Sequence, residues 1–554
     1  MNHADTLDDA QVLITELFAS HARFQPRKEA VICGEVRRTW GEFDANISRM
    51  AHALLQRGLQ RGDRVAVLMG NCVEILETVF GIVRAGGCAV PLSGLLTGEQ
   101  LVALIEDSGA VGVVATPDFQ ARLDAHDRQP ACVRADLRVL HRGAASASAS
   151  ASASASPSAS ASASASSAYP AGWTSLAAFL EGMPTHLPDV RLQQDDAFNI
   201  IYSSGTTGLP KGIVQTHRAR LHWAFSNAIE MGFRDTSRAL TTTSLYSNGT
   251  WLMMLPVLFV GGTLVVMQGF DVARFLALLG EERITHTFLV PSQSLMVLAH
   301  PALADFNAGR DAPRLEVILS AGSPLRTETK REVIERFGPC VIELYGFSEG
   351  FATMLKPWHP QDKFTTVGTP VMGFEIRILG DDGRELPRGE IGEIAAYGAG
   401  MMSGYHGRAQ ATAELIWRDE RGRTFIRSGD IGRLDADGFL SILDRKKDMI
   451  ISGGFNVFPA DIEQIVAQHP AVQDVTVIGI PHERWGETPL ALVIAREGQH
   501  LPEAELMAWA NERLAKHQRL GALEWRTEFP RNALGKVLKK DLRAPYWAAA
   551  GRTI

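Results

Sequence analysis

The chain has 554 residues, 45% of them hydrophobic and 21% charged, and a formal net charge of −7. That length exceeds what one core usually serves and calls for two or more domains, while the acidic balance argues against a nucleic-acid binder, which carries a basic bias. The five cysteines, Cys33, Cys72, Cys88, Cys132 and Cys340, are scattered and form no CxxC pair, which argues against a disulfide framework or zinc site and fits a reducing cytoplasm.

The N-terminus has no basic start and no apolar core segment, so no secretory signal is read there. Residues 64–69 predict a strand, 72–85 a helix closed by Gly86 and Gly87, and 89–92 the next strand. Residues 144–168 are an Ala-Ser repeat broken by Pro157. With nothing large to bury, they read as a disordered surface insertion inside one domain. Short β-rich runs at 111–115, 198–201, 263–267, 287–290 and 315–319 alternate with helical stretches, which is α/β wiring with mostly parallel sheets. The most apolar stretch, 251–267, contains Pro256, Gly261 and Gly262 and is short for a membrane span. It predicts a buried helix and then a strand.

From about Pro370 the pattern changes. Residues 374–379 and 392–397 alternate around an Asp-Asp-Gly turn at 381–383, which predicts an antiparallel, barrel-like subdomain. A charge run at 444–448 separates strands at 439–443 and 449–451. Beyond it come a helix at 459–468, strands at 472–480 and 490–495, and a helix at 503–515. The expected organisation is an N-terminal domain over 1–443, a hinge at 444–447 and a small α+β domain over 448–554.

Residues 202–212 read Tyr-Ser-Ser-Gly-Thr-Thr-Gly-Leu-Pro-Lys-Gly after an apolar strand. Ser203, Ser204, Gly205, Thr206, Thr207, Gly208 and Lys211 bring N–H groups, small hydroxyls and one cation to one loop, which suits a polyphosphate. It is not a Walker A loop, which needs Gly-Lys-Ser/Thr. Residues 345–349 read Tyr-Gly-Phe-Ser-Glu, placing an aromatic, a hydroxyl and a hard carboxylate within five residues. Ala321, Gly322 and Ser323 follow another strand. Asp430 closes an Arg-Ser-Gly-Asp run, and Arg445 and Lys447 lie in the charge run. Gly453 and Gly454 form a close pair, Trp485 sits in a polar loop, and Lys536 follows Gly535 near the C-terminus.

In this order the motifs resemble those of the adenylate-forming superfamily, which includes acyl-CoA synthetases, firefly-type luciferases and the adenylation domains of peptide synthetases. The resemblance covers nearly the whole chain except the Ala-Ser tract. It implies a large domain of stacked, mostly parallel αβ sheets with a barrel-like subdomain, hinged to a small mobile α+β domain. It also implies roles. The 203–211 loop would hold the ATP phosphates, with Thr206 and Glu349 toward Mg²⁺. Ala321, Gly322, Ser323, Tyr345 and Gly346 would flank adenine, Ser348 a phosphate, and Asp430 and Arg445 the ribose. Lys447 would be the hinge, Gly453 and Gly454 would line the pantetheine path, and Trp485 would pack on coenzyme A. Lys536 would bridge the substrate carboxylate and the α-phosphate.

The resemblance implies a cytoplasmic acid–thiol ligase using ATP, Mg²⁺ and coenzyme A. Ser247, where relatives often have histidine, together with Trp251 and Phe347 would line the acid pocket, and no cation is evident there for a second carboxylate. A fatty or bulky hydrophobic monocarboxylate is the first expectation and an aryl acid the second. A stand-alone enzyme loading a carrier protein, a luciferase-like oxidase and an inactive nucleotide binder remain alternatives, and a homodimer stays open.

Overall fold

A computed structural model describes residues 12–126, 128–142, 169–203, 210–312, 314–452, 455–499, 501–531 and 536–549. The Ala-Ser tract, residues Ser204, Gly205, Thr206, Thr207 and Gly208 of the predicted phosphate loop, and Gly453 and Gly454 lie outside them, as does the Ser203 side chain. The chain falls into two compact units, one of 1–271 with 402–409 and one of 272–401 with 410–554.

The first unit holds an eight-stranded sheet. Six strands run parallel in the order Ala197–Ser203, Cys88–Pro91, Arg64–Leu68, Gly112–Ala115, Arg138–Leu140, Thr174–Ser175. Cys88–Pro91 and Gly112–Ala115 are buried along their whole length, as expected of strands covered on both faces. Lys211–Thr216 pairs antiparallel with Ala197–Ser203, so the predicted phosphate loop joins two neighbouring strands as a hairpin. The helix expected over 72–85 spans Val73–Arg84, with Gly86 beyond it at φ 84°, a conformation glycine adopts freely. The apolar 251–267 stretch is helix Asn248–Phe259 followed by strand Thr263–Val266. A second set of strands, Arg238–Thr241, Thr263–Val266, Glu29–Cys33 and Val36–Thr39, belongs to the same unit.

The second unit opens with parallel strands His286–Leu289, Val317–Ser320 and Val341–Phe347 and the antiparallel Phe351–Leu355. An all-antiparallel core of Phe374–Leu379, Gly392–Gly398, Thr424–Leu434 and Leu440–Arg445 follows, with Ile416–Arg418 on its edge. The last sheet pairs Val472–His482 with Gly486–Ala495 and adds Ala522–Arg526 in parallel. Helices Pro459–Val466 and Glu503–Asn511 cover it through Ile462, Val466, Leu506 and Ala510. Strand Lys211–Thr216 and helix Lys539–Ala549 were not legible, because mixed polar and apolar residues hide their period. Among the described residues, no helix is long and apolar enough to cross a membrane.

Candidate active site

Strand Thr424–Leu434 delivers Asp430 by means of a bulge. Arg427 pairs with Ala395 and Ile431 with Glu393, so Ser428, Gly429 and Asp430 together face a single residue of the neighbouring strand. Gly429 takes φ 72°, which a side chain would resist, and the Ser428 hydroxyl accepts the Asp430 backbone N–H at 3.0 Å. Asp430 is thereby buried and bulged away from strand Gly392–Gly398. Its carboxylate accepts a bond from the Tyr345 hydroxyl at 2.6 Å and an ion pair from Arg445 Nε at 3.1 Å. Arg445 stands directly opposite Asp430 on strand Leu440–Arg445. Burial, with the Asp430 charge second, holds the Tyr345 phenol far above its usual pKa, so it remains a neutral donor.

Gly346 follows Tyr345 for a reason of packing. A Cβ there would collide with the Phe351 carbonyl, so the antiparallel return strand, rather than a ligand, excludes a side chain. Ser348 and Glu349 form the turn between these two strands. Ala321, Gly322 and Ser323 leave the C-terminal end of strand Val317–Ser320, with Ala321 buried and Gly322 exposed at φ 95°.

Lys536 reaches the same region. Burial, followed by the Arg445 charge, lowers its pKa to about 8, and Asp430 and Asp448 partly offset this. The fold thus gathers Tyr345, Asp430, Arg445, Lys447 and Lys536, which are spread over almost two hundred residues of sequence. At the predicted hinge, the Lys447 carbonyl accepts Arg543 Nη1 at 3.1 Å, and Lys446 binds Glu393 at 3.1 Å. Asp444 holds the N-terminus of helix Pro459–Val466 through the Ala460 N–H at 3.1 Å.

In the first unit, Lys211 begins its strand with its ammonium 4.8 Å from the centre of the Tyr405 ring. Trp485 is 44% exposed, with the Arg484 guanidinium 4.5 Å from its ring centre, so an indole face is available near the end of a long hairpin. Within the second unit, Tyr345, Asp430, Arg445 and Lys536 offer a ring for a base, an acceptor for a diol, and cations that suit a phosphate.

Residues 18–406 match the family model described as AMP-binding enzyme, and residues 461–536 match the AMP-binding enzyme C-terminal domain. The chain belongs to the AMP-binding enzyme family. A feruloyl-CoA synthase of an Amycolatopsis species is 32% identical over 94% of this chain and 96% of its own. The long-chain-fatty-acid–CoA ligase FadD13 of Mycobacterium tuberculosis is 31% identical over 96% of this chain and 98% of its own. The ATP-bound crystal structure of MatB from Rhodopseudomonas palustris superposes with a TM-score of 0.82 at 26% identity, covering 97% of this chain and 99% of that one. Asp430, Arg445 and Lys447 fall between the two matched segments, and Lys536 is the last residue matched.

Three residues with clear structural work escaped the sequence reading. The Asn71 amide donates to the Thr243 and Met267 carbonyls at 3.0 and 2.8 Å and accepts from Leu245 N at 2.8 Å, fastening the segment that precedes Ser247. Asn199 and Arg220 meet inside the first unit at 2.8 Å. A polar residue in the apolar run 198–201, and an arginine one helical turn after a buried histidine, were the available signals.

Proposed function

We propose that the protein is an AMP-forming acid–CoA ligase acting on a bulky hydrophobic monocarboxylate. The observation that carries the reading is the Tyr345–Asp430–Arg445 cluster with Lys536 beside it. A buried, acceptor-only carboxylate held at both oxygens matches a vicinal diol better than a surface ion pair. In the first half-reaction the acid's carboxylate attacks the α-phosphorus of ATP and pyrophosphate leaves. Lys536 carries the positive charge that lets two anions approach, and half-burial strengthens that charge in the site.

Tyr345 and Gly322 would flank adenine, and Asp430 and Arg445 would hold the ribose. The loop from Ser203 through Thr207 and Gly208 to Lys211 would hold the β- and γ-phosphates. Glu349, on a turn and with a hard oxygen, fits Mg²⁺, which would supply charge neutralisation at the phosphates. In the second half-reaction the coenzyme A thiol attacks the acyl carbon and AMP leaves. Rotation at Lys447 would withdraw Lys536 and bring in Gly453 and Gly454, with Trp485 against the nucleotide of coenzyme A.

The feruloyl-CoA and indoleacetate–CoA relatives favour an aryl acid as the second reading, and the fatty-acid ligases favour the first. A panel of fatty, aryl and amino acids in a pyrophosphate-release assay, with and without coenzyme A, tests both. Acyl-CoA formation from one hydrophobic class is expected. Turnover with amino acids alone would overturn the reading.

A further inference from the structure

Two arginines are almost wholly buried in the first unit, and they differ in what they bond. Arg84 is saturated. Its Nη1 donates to Ser48 Oγ at 2.8 Å and the Asp44 carbonyl at 3.0 Å, and its Nη2 donates to the Thr15 carbonyl at 2.8 Å and pairs with the Asp44 carboxylate. Arg220, on helix His217–Glu230, donates from Nε to Asn199 Oδ1 at 2.8 Å. Its guanidinium carbon lies 4.5 Å from the centre of the Trp251 ring. Among the described residues, no carboxylate pairs with it. Its Nη2 and the Asn199 Nδ2, both buried, have no hydrogen-bond partner among those residues.

Such an arrangement is expensive as a piece of core. An unpaired buried ion is costly, and stacking on an indole recovers only part of that cost. Burial pulls the Arg220 pKa down to about 9, which still leaves it charged at neutral pH. His217, one turn earlier, is held neutral by burial at about 4 and adds no charge. Both orphaned atoms are N–H donors, and they belong to two groups already locked together by a hydrogen bond. Two fixed donors with one net positive charge are what an anion requires. Asn199 lies four residues before Ser203, about 13 Å along the strand at 3.3 Å per residue, and Trp251 belongs to the wall expected to face the acid.

We propose that Arg220, Asn199 and Trp251 form a buried receptor for a carboxylate-sized anion. The anion has two sources of the same chemistry. One is a second carboxylate on the acid substrate, which rests on the ligase reading above. The other is a free inorganic anion such as chloride, which does not.

The test uses the full chain without nucleotide and follows its thermal midpoint against sodium chloride and against a straight-chain dicarboxylate. Ionic strength is fixed with a bulky sulfonate salt. A saturable rise in midpoint is expected with at least one of them, and Arg220→Met should lose it. Asn199→Asp supplies a fixed carboxylate to the guanidinium. It should raise the midpoint and abolish the anion response, and it keeps the test decisive if the methionine variant does not fold. If the occupant is the substrate's second carboxylate, only the dicarboxylate stabilises. Arg220→Met then lowers kcat/KM for the diacid about 10- to 100-fold more than for the matching monoacid, as expected for one lost charged donor. If the occupant is a free anion, chloride stabilises and both acids respond alike. A midpoint insensitive to both anions, or an equal response in the wild type and Asn199→Asp, overturns the receptor. Absence of pyrophosphate release with every acid would sink the ligase reading and leave the midpoint result standing.

Discussion

Asp430 and Arg220 are both buried charges, yet the protein treats them differently. Asp430 is met on both oxygens, by Tyr345 and Arg445, on a bulge shaped to present it. Arg220 is met at one nitrogen by an amide. The first arrangement is complete and pre-organised, and the proposed ribose hydroxyl would add to a carboxylate whose position is already fixed. The second is incomplete and gains by being filled. Charges that other residues already satisfy mark a scaffold for chemistry. Charges left unsatisfied mark bonding capacity that folding alone has not used.

The sharpest way to break this contrast lies on the catalytic side. Lys536→Ala should reduce acyl-adenylate formation by about 100- to 1,000-fold, the usual cost of removing one positioned charge from a transition state. Thioester formation from a supplied acyl-adenylate should remain largely intact. If both half-reactions survive, Lys536 is not the bridging cation. Its pKa of about 8 adds a second signature. The free enzyme's kcat/KM should fall as pH rises through about 8, and Lys536→Arg should move that alkaline limb upward.

The buried arginines give the next largest effect. Arg84→Met strands the Asp44 carboxylate and should cost about 3 to 5 kcal/mol of stability. Arg220→Met strands no acid. It does leave Asn199 Oδ1 unpaired, so in buffer free of small anions it should cost about 1 to 2 kcal/mol, less than Arg84→Met. Denaturant midpoints of the two variants measure this directly. Equal losses would show that Arg220 has a counter-charge after all.

The two regions also differ in how well the sequence reveals them. The proposed nucleotide side left signals in the sequence because the chemistry proposed for it needs particular residue types in fixed order: a glycine before Asp430, an aromatic at 345, a lysine at 536. The charge run proposed as a hinge begins with Asp444 and Arg445, which are still the end of a strand. Gly346 was legible for the wrong cause, since backbone crowding and not adenine requires it. Asn199 and Arg220 carry no order-dependent signature. Each looks like an interruption in an apolar pattern, and only the fold shows that the two interruptions meet. Strand Lys211–Thr216 was missed because its polar residues, Gln215 and Thr216, mask the alternation that marks a half-buried strand.

The charge run proposed as a hinge offers the smallest effect and the most specific sign. Burial raises Asp444 to about 6, with Lys539 lowering it and Glu463 raising it. Lys539 and Glu463 themselves pair at 2.8 Å. Against the ordinary value of 3.8, the folded state holds the Asp444 proton more tightly than the unfolded state does. Stability from this group is therefore fully present below about pH 4 and is lost as pH rises through about 6. Such a rise corresponds to at most about 3 kcal/mol, reduced by whatever relaxation the hinge allows. Asp444→Asn should flatten the dependence between pH 4 and 6, measured as the denaturant midpoint of the C-terminal sheet through Trp525 fluorescence. The amide loses the acceptor charge that caps helix Pro459–Val466, so the variant should also weaken that cap by about 1 kcal/mol at neutral pH. A variant that keeps the wild-type slope would show that Asp444 does not carry the pH dependence, and Asp444 would then be a cap and nothing more.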